Sequence, residues 1–222
     1  GLVSALRDLA MRRVASASNR LGGYAEALGR LAASSRFSAG ETAEAFDLLE
    51  RRLPKAAYYA DVLAALGRIA VTDRATHEQR VRTAGLLGAV IERPIGEEET
   101  RMLERETAEG KTYELSGRLT FDSETVPAAV EGLRAIALAE PTTSALRARI
   151  AEQLLRVWRE VAEWKRVWGP NSAEVLAGAL GEIAASGKFP PSLRAEAVRS
   201  LAGAIERVSV LRALARAFGA PG

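Results

Sequence analysis

Four stretches of this chain can be laid over one another without gaps, and that self-similarity limits its fold more than any single residue does. With Leu66 as the reference, LGRIAVTDRATHEQRVRTAGLL aligns on LGRLAASSRFSAGETAEAFDLL from Leu28. It aligns equally on LRAIALAEPTTSALRARIAEQL from Leu133 and on LGEIAASGKFPPSLRAEAVRSL from Leu180. Segments 28–49 and 180–201 are the most alike, sharing Leu28/Leu180, Gly29/Gly181, Ala32/Ala184, Ala33/Ala185, Ser34/Ser186 and Phe37/Phe189. The starts at 28, 66, 133 and 180 lie 38, 67 and 47 residues apart, so one wide interval sits mid-chain. Each copy reads as the end of one helix, a polar turn and a second helix. A period of roughly 40 residues with two helical patterns per copy is the signature of an α-solenoid, whose units pack only on their neighbours.

The string VRTAGLLGAVI at 81–91, with Asp73 ahead of it, resembles a HEAT repeat, and LRAEAVRSLAGAI at 193–205 looks like a second copy. The resemblance to HEAT/armadillo-like proteins covers most of 20–92 and 127–207. It implies an all-α fold, a right-handed α-α superhelix of four to five helix pairs. It also implies a ladder between an acid in the turn and an Arg early in the second helix. The matching positions are Asp73 with Arg80 or Arg82, and Glu140 with Arg147 or Arg149. Arg194 stands in the Arg80 column but Gly187 replaces its acid, and the first unit has Ser35 and Thr42 in these columns. HEAT-like proteins generally hold partners on the curved surface lined by their second helices.

Residues 2–17 carry an amphipathic pattern through Leu2, Leu6, Leu9 and Val14, which predicts a terminal helix over the first unit. Helices are expected at about 24–34, 41–53, 56–71 and 77–92, with Pro54 stopping the second and a Thr76–Gln79 capping box starting the fourth. The region 93–126 departs from the repeat. Its Glu97-Glu98-Glu99 suits the first turn of a short helix, where the dipole favours acids. Residues 110–123 have no helical period and read equally as a small hairpin or as a degenerate unit with a loose loop. From 127 the pattern resumes, with helices at about 126–139, 143–168, from a Ser172 cap to 186, 192–206 and 208–218. The organisation is therefore one solenoid over 1–222: repeats in 1–92, an irregular acidic insert in 93–126, and repeats in 127–222.

Composition narrows the chemistry. The chain has no Cys and one His, so disulfides, thiolate catalysis and His- or Cys-built metal sites are excluded. His77 begins a helix beside its cap and reads as a surface residue. GGYAEALG at 22–29 has neither the Lys of a phosphate-binding loop nor a strand before it. The expectation is no catalytic residue, no cofactor, no metal and no enzyme. No apolar run approaches a bilayer span, and charges fall too early for a secretory signal, so a soluble cytoplasmic protein is expected. A start without Met and a terminal Gly-Ala-Pro-Gly fit a piece of a longer chain. The net charge of +3 is uneven. Residues 97–131 hold ten acids and four bases, a net of −6, which leaves +9 to the remainder and a basic carboxy-terminal half.

All three Trp lie in one expected helix, in LLRVWREVAEWKRVW, beside Arg156, Arg159, Lys165 and Arg166. Trp and Arg are the usual anchors of protein interfaces, and Trp faces among cations also stack bases. The competing reading wedges these rings into the core between units: it is favoured for Trp164 and balanced against an exposed role for Trp158 and Trp168. Arg156 with Glu160 and Arg159 with Glu163 are spaced to pair along the helix, which weakens the nucleic-acid reading. The sequence thus predicts a non-enzymatic scaffold that binds another protein in a groove formed by 76–92, 143–168 and 191–206. Its partner-binding residues are Arg82, Arg149, Arg156, Trp158, Arg159 and Arg199. Nucleic-acid binding through the basic carboxy-terminal half is the alternative, and self-association is a further class of contact.

Overall fold

The computed structural model describes residues 2–16, 22–52, 59–92, 125–162 and 170–217. The irregular insert, its suspected hairpin, and Trp164 and Trp168 lie outside the described residues. Within them the protein is all-α: α1 (Leu2–Ser16), α2 (Gly22–Ala33), α3 (Ala39–Arg52), α4 (Tyr59–Ala70), α5 (His77–Glu92), α6 (Val126–Leu138), α7 (Ser144–Ala162), α8 (Pro170–Ala185) and α9 (Pro191–Ala217). None of these helices is long and apolar enough to cross a membrane.

Each repeat copy becomes one helix pair, joined by a turn whose construction recurs. The first helix ends where Ser34 and Thr72 fold their hydroxyls back onto the carbonyls of Leu31 (2.7 Å) and Ile69 (2.8 Å). A hydrophobic or small residue then plugs the turn, and Phe37, Ala75, Thr142 and Phe189 are all buried at this column. The second helices α3 and α5 start with a reciprocal cap. In α5 the Gln79 N–H donates to Thr76 Oγ1 (3.1 Å) and the Thr76 N–H to Gln79 Oε1 (2.9 Å), which is the expected capping box. Ser38 and Glu41 build the same box ahead of α3 at 3.2 and 2.8 Å. Ahead of α7 the Leu146 N–H donates to Thr143 Oγ1. Each such cap contributes about 1 kcal/mol and sets where the chain re-enters helix.

The first helices pack in sequence, α2 on α4, α4 on α6 and α6 on α8; the second helices α5, α7 and α9 do likewise, and α1 covers α2 and α3. Leu28, Leu66, Leu133 and Leu180, one repeat column, are all fully buried. The core forms two clusters that meet at α4, which gives Val62, Ala65, Leu66 and Ile69 to the amino-terminal cluster and Leu63 and Ala70 to the other. This arrangement is consistent with a helical superhelix.

Close approach of the first helices depends on glycine. A Cβ on Gly29 of α2 would lie 2.6 Å from Ala65 Cβ of α4, and one on Gly67 of α4 would lie 3.3 Å from the Gly132 Cα of α6. Gly29 and Gly67 occupy one repeat column, and Ala65 and Gly132 another, so the same contact is made twice. Packing that repeats residue for residue is what a true structural repeat requires.

Two boundaries differ from the sequence reading. The segment 191–217 is one helix rather than two, because nothing between Glu206 and Ser209 breaks it: no Gly or Pro interrupts the run. Helix α8 begins at Pro170, and Ser172 lies buried inside its first turn rather than capping it. Proline is well placed there, since its missing N–H is one the helix leaves unbonded anyway. The described part of the Trp-containing helix runs Ser144–Ala162, and its expected continuation to 168 lies outside the described residues.

Candidate interaction surface

The expected acid–base ladder is built differently. Arg80 is almost fully buried, and its guanidinium turns onto the carboxy-terminal end of α4. Its Nε donates to the Ala70 carbonyl at 3.0 Å and its Nη2 to that of Thr72 at 2.7 Å. Arg147 repeats this against α6, reaching Ala137, Ala139 and Glu140 carbonyls at 3.1, 2.7 and 3.1 Å. In the first unit Thr42 does the smaller version, with its hydroxyl donating to Ala32 O at 3.2 Å. In each of these units one such bond runs to the carbonyl ten positions before its donor. These cations thus satisfy the orphan carbonyls of their own unit and suit the negative end of its first helix. Burial holds the Arg80 pKa below that of a free guanidinium, and the charge of Asp73 partly restores it. Arg194 stands in the same column, but its buried Nε finds no acceptor.

Linkage between units comes from the turns and from the second helices. Arg74 donates to the Ser34 carbonyl of the preceding turn, and Lys188, in the same column, donates to the Leu138 carbonyl and pairs with Glu140 at 2.7 Å. The hydrogen bond from Lys188 draws the Glu140 pKa down. On the first-helix side Arg134 joins Glu131 and Glu182, both at 2.6 Å, and the Glu182 hydrogen bond raises its pKa despite partial burial.

The six residues singled out from sequence fall into three groups. Trp158 takes the core position: it is 8% exposed, and its indole N–H donates to the Ser200 carbonyl of α9 at 3.1 Å. Arg82, Arg156 and Arg159 are engaged with the protein's own acids. Arg82 binds Glu50 of α3 and lies 5.5 Å over the Phe46 ring. Arg156 binds Glu92 of α5, which Gln153 also contacts at 2.9 Å. Arg159 binds Glu196 of α9. Along-helix spacing pointed Arg156 to Glu160 and Arg159 to Glu163, of which Glu163 lies outside the described residues; the structure gives each arginine an acid on a neighbouring helix as well. Arg149 and Arg199 form the third group, exposed and without an ion pair or side-chain hydrogen bond among the described residues.

Glu50, Glu92 and Glu196 were missed from sequence, although one signal for them exists. Arg82 and Glu196 share a repeat column, and each reaches back to the preceding second helix, with the charges exchanged. Arg149 occupies that column too, but the α5 residue in the column of Glu50 is Gly88, which carries no acid.

Shallow clefts also mark the surface of the described residues. One, about 420 Å³, lies between α1 and α3 and is lined by Met11, Arg12, Asp47, Leu48 and Arg51. Another, about 240 Å³, lies between α4 and α6 over Gly67 and Gly132, with Arg68 and Glu131 at its margin. No group of His, Asp and Glu among the described residues is arranged to hold a metal, and His77 is exposed at the start of α5. Comparison with protein-family models, curated proteins and solved structures finds no match to this chain.

Proposed function

We propose that the chain is a right-handed, HEAT-like superhelix of four helix pairs, and that it acts as a non-enzymatic scaffold holding a partner protein on its second-helix face. The repeated turn, the repeated carbonyl-capping donor and the repeated glycine contact support the repeat reading. The observation that carries the choice of partner is the fate of the arginines. Three of the five arginines singled out on this face, Arg82, Arg156 and Arg159, are neutralised by Glu50, Glu92 and Glu196 of neighbouring helices. Nucleic acid is bound when unneutralised Lys and Arg displace the counterions condensed on its phosphates, and a face whose cations are already paired offers few of them. A protein partner needs shape and a few exposed anchors, which Arg149 and Arg199 supply on a rigid helical support.

The test is retention of a partner from source lysate on the immobilised chain, at low and moderate salt, with nuclease treatment in parallel. The scaffold reading expects one defined protein that survives both treatments and is lost from the Arg149→Glu/Arg199→Glu double variant. Binding that vanishes with nuclease, or that falls steeply with salt, would replace it with nucleic-acid binding.

A further inference from the structure

The units are not joined equally. Along the second helices α5 packs on α7 and α7 on α9, whereas α3 and α5 barely meet backbone to backbone. The core divides at the same place. Phe46 and Leu49 of α3 belong to the amino-terminal cluster, and Ala84, Leu87 and Ile91 of α5 belong to the other. Among the described residues α4 is the helix that gives fully buried side chains to both. From α5 the half-buried Leu86 packs against the amino-terminal cluster. Beside it Arg82 crosses the seam, binding Glu50 of α3 and lying 5.5 Å over the ring of Phe46, which is fully buried. The later joints are built otherwise. Helices α5, α7 and α9 share one core cluster. A Cβ on Gly88 of α5 would lie 2.2 Å from Gln153 Nε2 of α7, and Trp158 of α7 donates to the Ser200 carbonyl of α9.

We propose that the seam between α3 and α5 is a hinge built into the stack, pivoting about α4 and latched by Arg82. In the closed state the guanidinium ties Glu50 and covers the Phe46 ring. When the latch is released, α1, α2 and α3 swing away from α5 and that ring is bared. The pin of the hinge is firm, because α4 is held on one side by the Gly29–Ala65 contact and on the other by Gly67 against Gly132. Motion concentrates where two bodies are joined by few side chains, and small hinge rotations about a packed element are a common way of using such a joint. An exposed ion pair and a cation–π contact are each weak, and salt screens the pair, so the open state lies within reach of a modest perturbation. At α5/α7 and α7/α9 the same motion has to split one shared core, which costs far more. The proposal is independent of the scaffold reading, whose test uses Arg149 and Arg199.

Pulsed electron resonance between spin labels tests it. The chain has no Cys, so introduced thiols are labelled and nothing else is. Asp47→Cys with Gly85→Cys spans α3 and α5, and Gly85→Cys with Glu152→Cys spans α5 and α7 at the same repeat column; all three positions are exposed. Each pair is measured at low and high salt, with and without Arg82→Gln. Either Arg82→Gln or high salt should enlarge the longer-distance fraction of the first pair roughly five- to tenfold. The second pair and the helical circular dichroism signal should stay unchanged. The exchanged pair Glu50→Arg/Arg82→Glu should restore most of the short distance at low salt. A distance between α3 and α5 that ignores both perturbations, or one between α5 and α7 that moves equally, overturns the hinge. So does a loss of helical signal in Arg82→Gln, which makes Arg82 a folding contact rather than a latch.

Discussion

Removing the guanidinium of Arg80 while keeping its apolar stem, as Arg80→Met does, isolates the carbonyl-capping role. Two charge-assisted hydrogen bonds, to Ala70 and Thr72, are lost, and both acceptors sit at the end of α4 under a side chain that is 4% exposed. Hydrogen bonds to charged groups contribute about 1.5–3 kcal/mol each. Removing a cation from a helix carboxy-terminus subtracts a further ~0.5 kcal/mol. Against this, the variant no longer has to desolvate a guanidinium, and that relief offsets a good part of the loss. The net expectation is destabilisation by roughly 3 kcal/mol. Urea unfolding followed by far-ultraviolet circular dichroism measures it, as a lower midpoint at unchanged slope. The repeat supplies its own controls. Arg147→Met, at a half-buried site with three such bonds, should cost about 2 kcal/mol. Arg194→Met, whose Nε has no acceptor, should fall within about 0.5 kcal/mol of the parent. If Arg80→Met is as harmless as Arg194→Met, or Arg194→Met as costly as Arg80→Met, the capping account is refuted.

Other outcomes test other parts of the structure. Gly29→Ala should destabilise by about 1–2 kcal/mol, since overpacking against Ala65 outweighs the helix propensity gained, whereas Gly85→Ala, with nothing within 4 Å, should stabilise by about 0.5–1 kcal/mol. Thermal melts of the pair decide this by the sign of the shift. Trp158→Phe should cost about 1 kcal/mol for the lost bond to Ser200. Trp158→Ala should cost about 3–5 kcal/mol for the cavity, and small effects in both would return the ring to the surface. Glu41 has its pKa lowered by the Ser38 N–H first, then by the Ser38 hydroxyl and Arg7. A carboxylate depressed on folding stabilises fully above its unfolded pKa, and that contribution is lost as pH falls through the folded value. The urea midpoint should therefore drop as pH is lowered from about 5 into the acid range, and less steeply in Glu41→Gln; equal slopes would remove Glu41 from the account.

What the sequence determined is whatever one helix pair decides within itself. Leu28, Leu66, Leu133 and Leu180 are buried because a Leu at that phase of an amphipathic helix has nowhere else to go. Thr76 and Gln79 close their box because the partners are three residues apart, and the repeat makes each local solution visible several times. The all-helical class was legible for the same reason. Direction and pairing were not. Whether Arg80 met Asp73 or the carboxy-terminal end of α4 depended on burial, which favours short bonds to fixed carbonyls over a surface pair. Arg156 and Arg159 found acids 64 and 37 positions away, across gaps that only helix packing closes. Trp158 could face core or solvent until α9 laid the Ser200 carbonyl against its ring. The need for glycine at 29 and 67, and its absence at 181, appeared only once the distance between neighbouring helices was known. Local periodicity travels with the sequence, whereas the spacing of one helix from the next belongs to the folded stack.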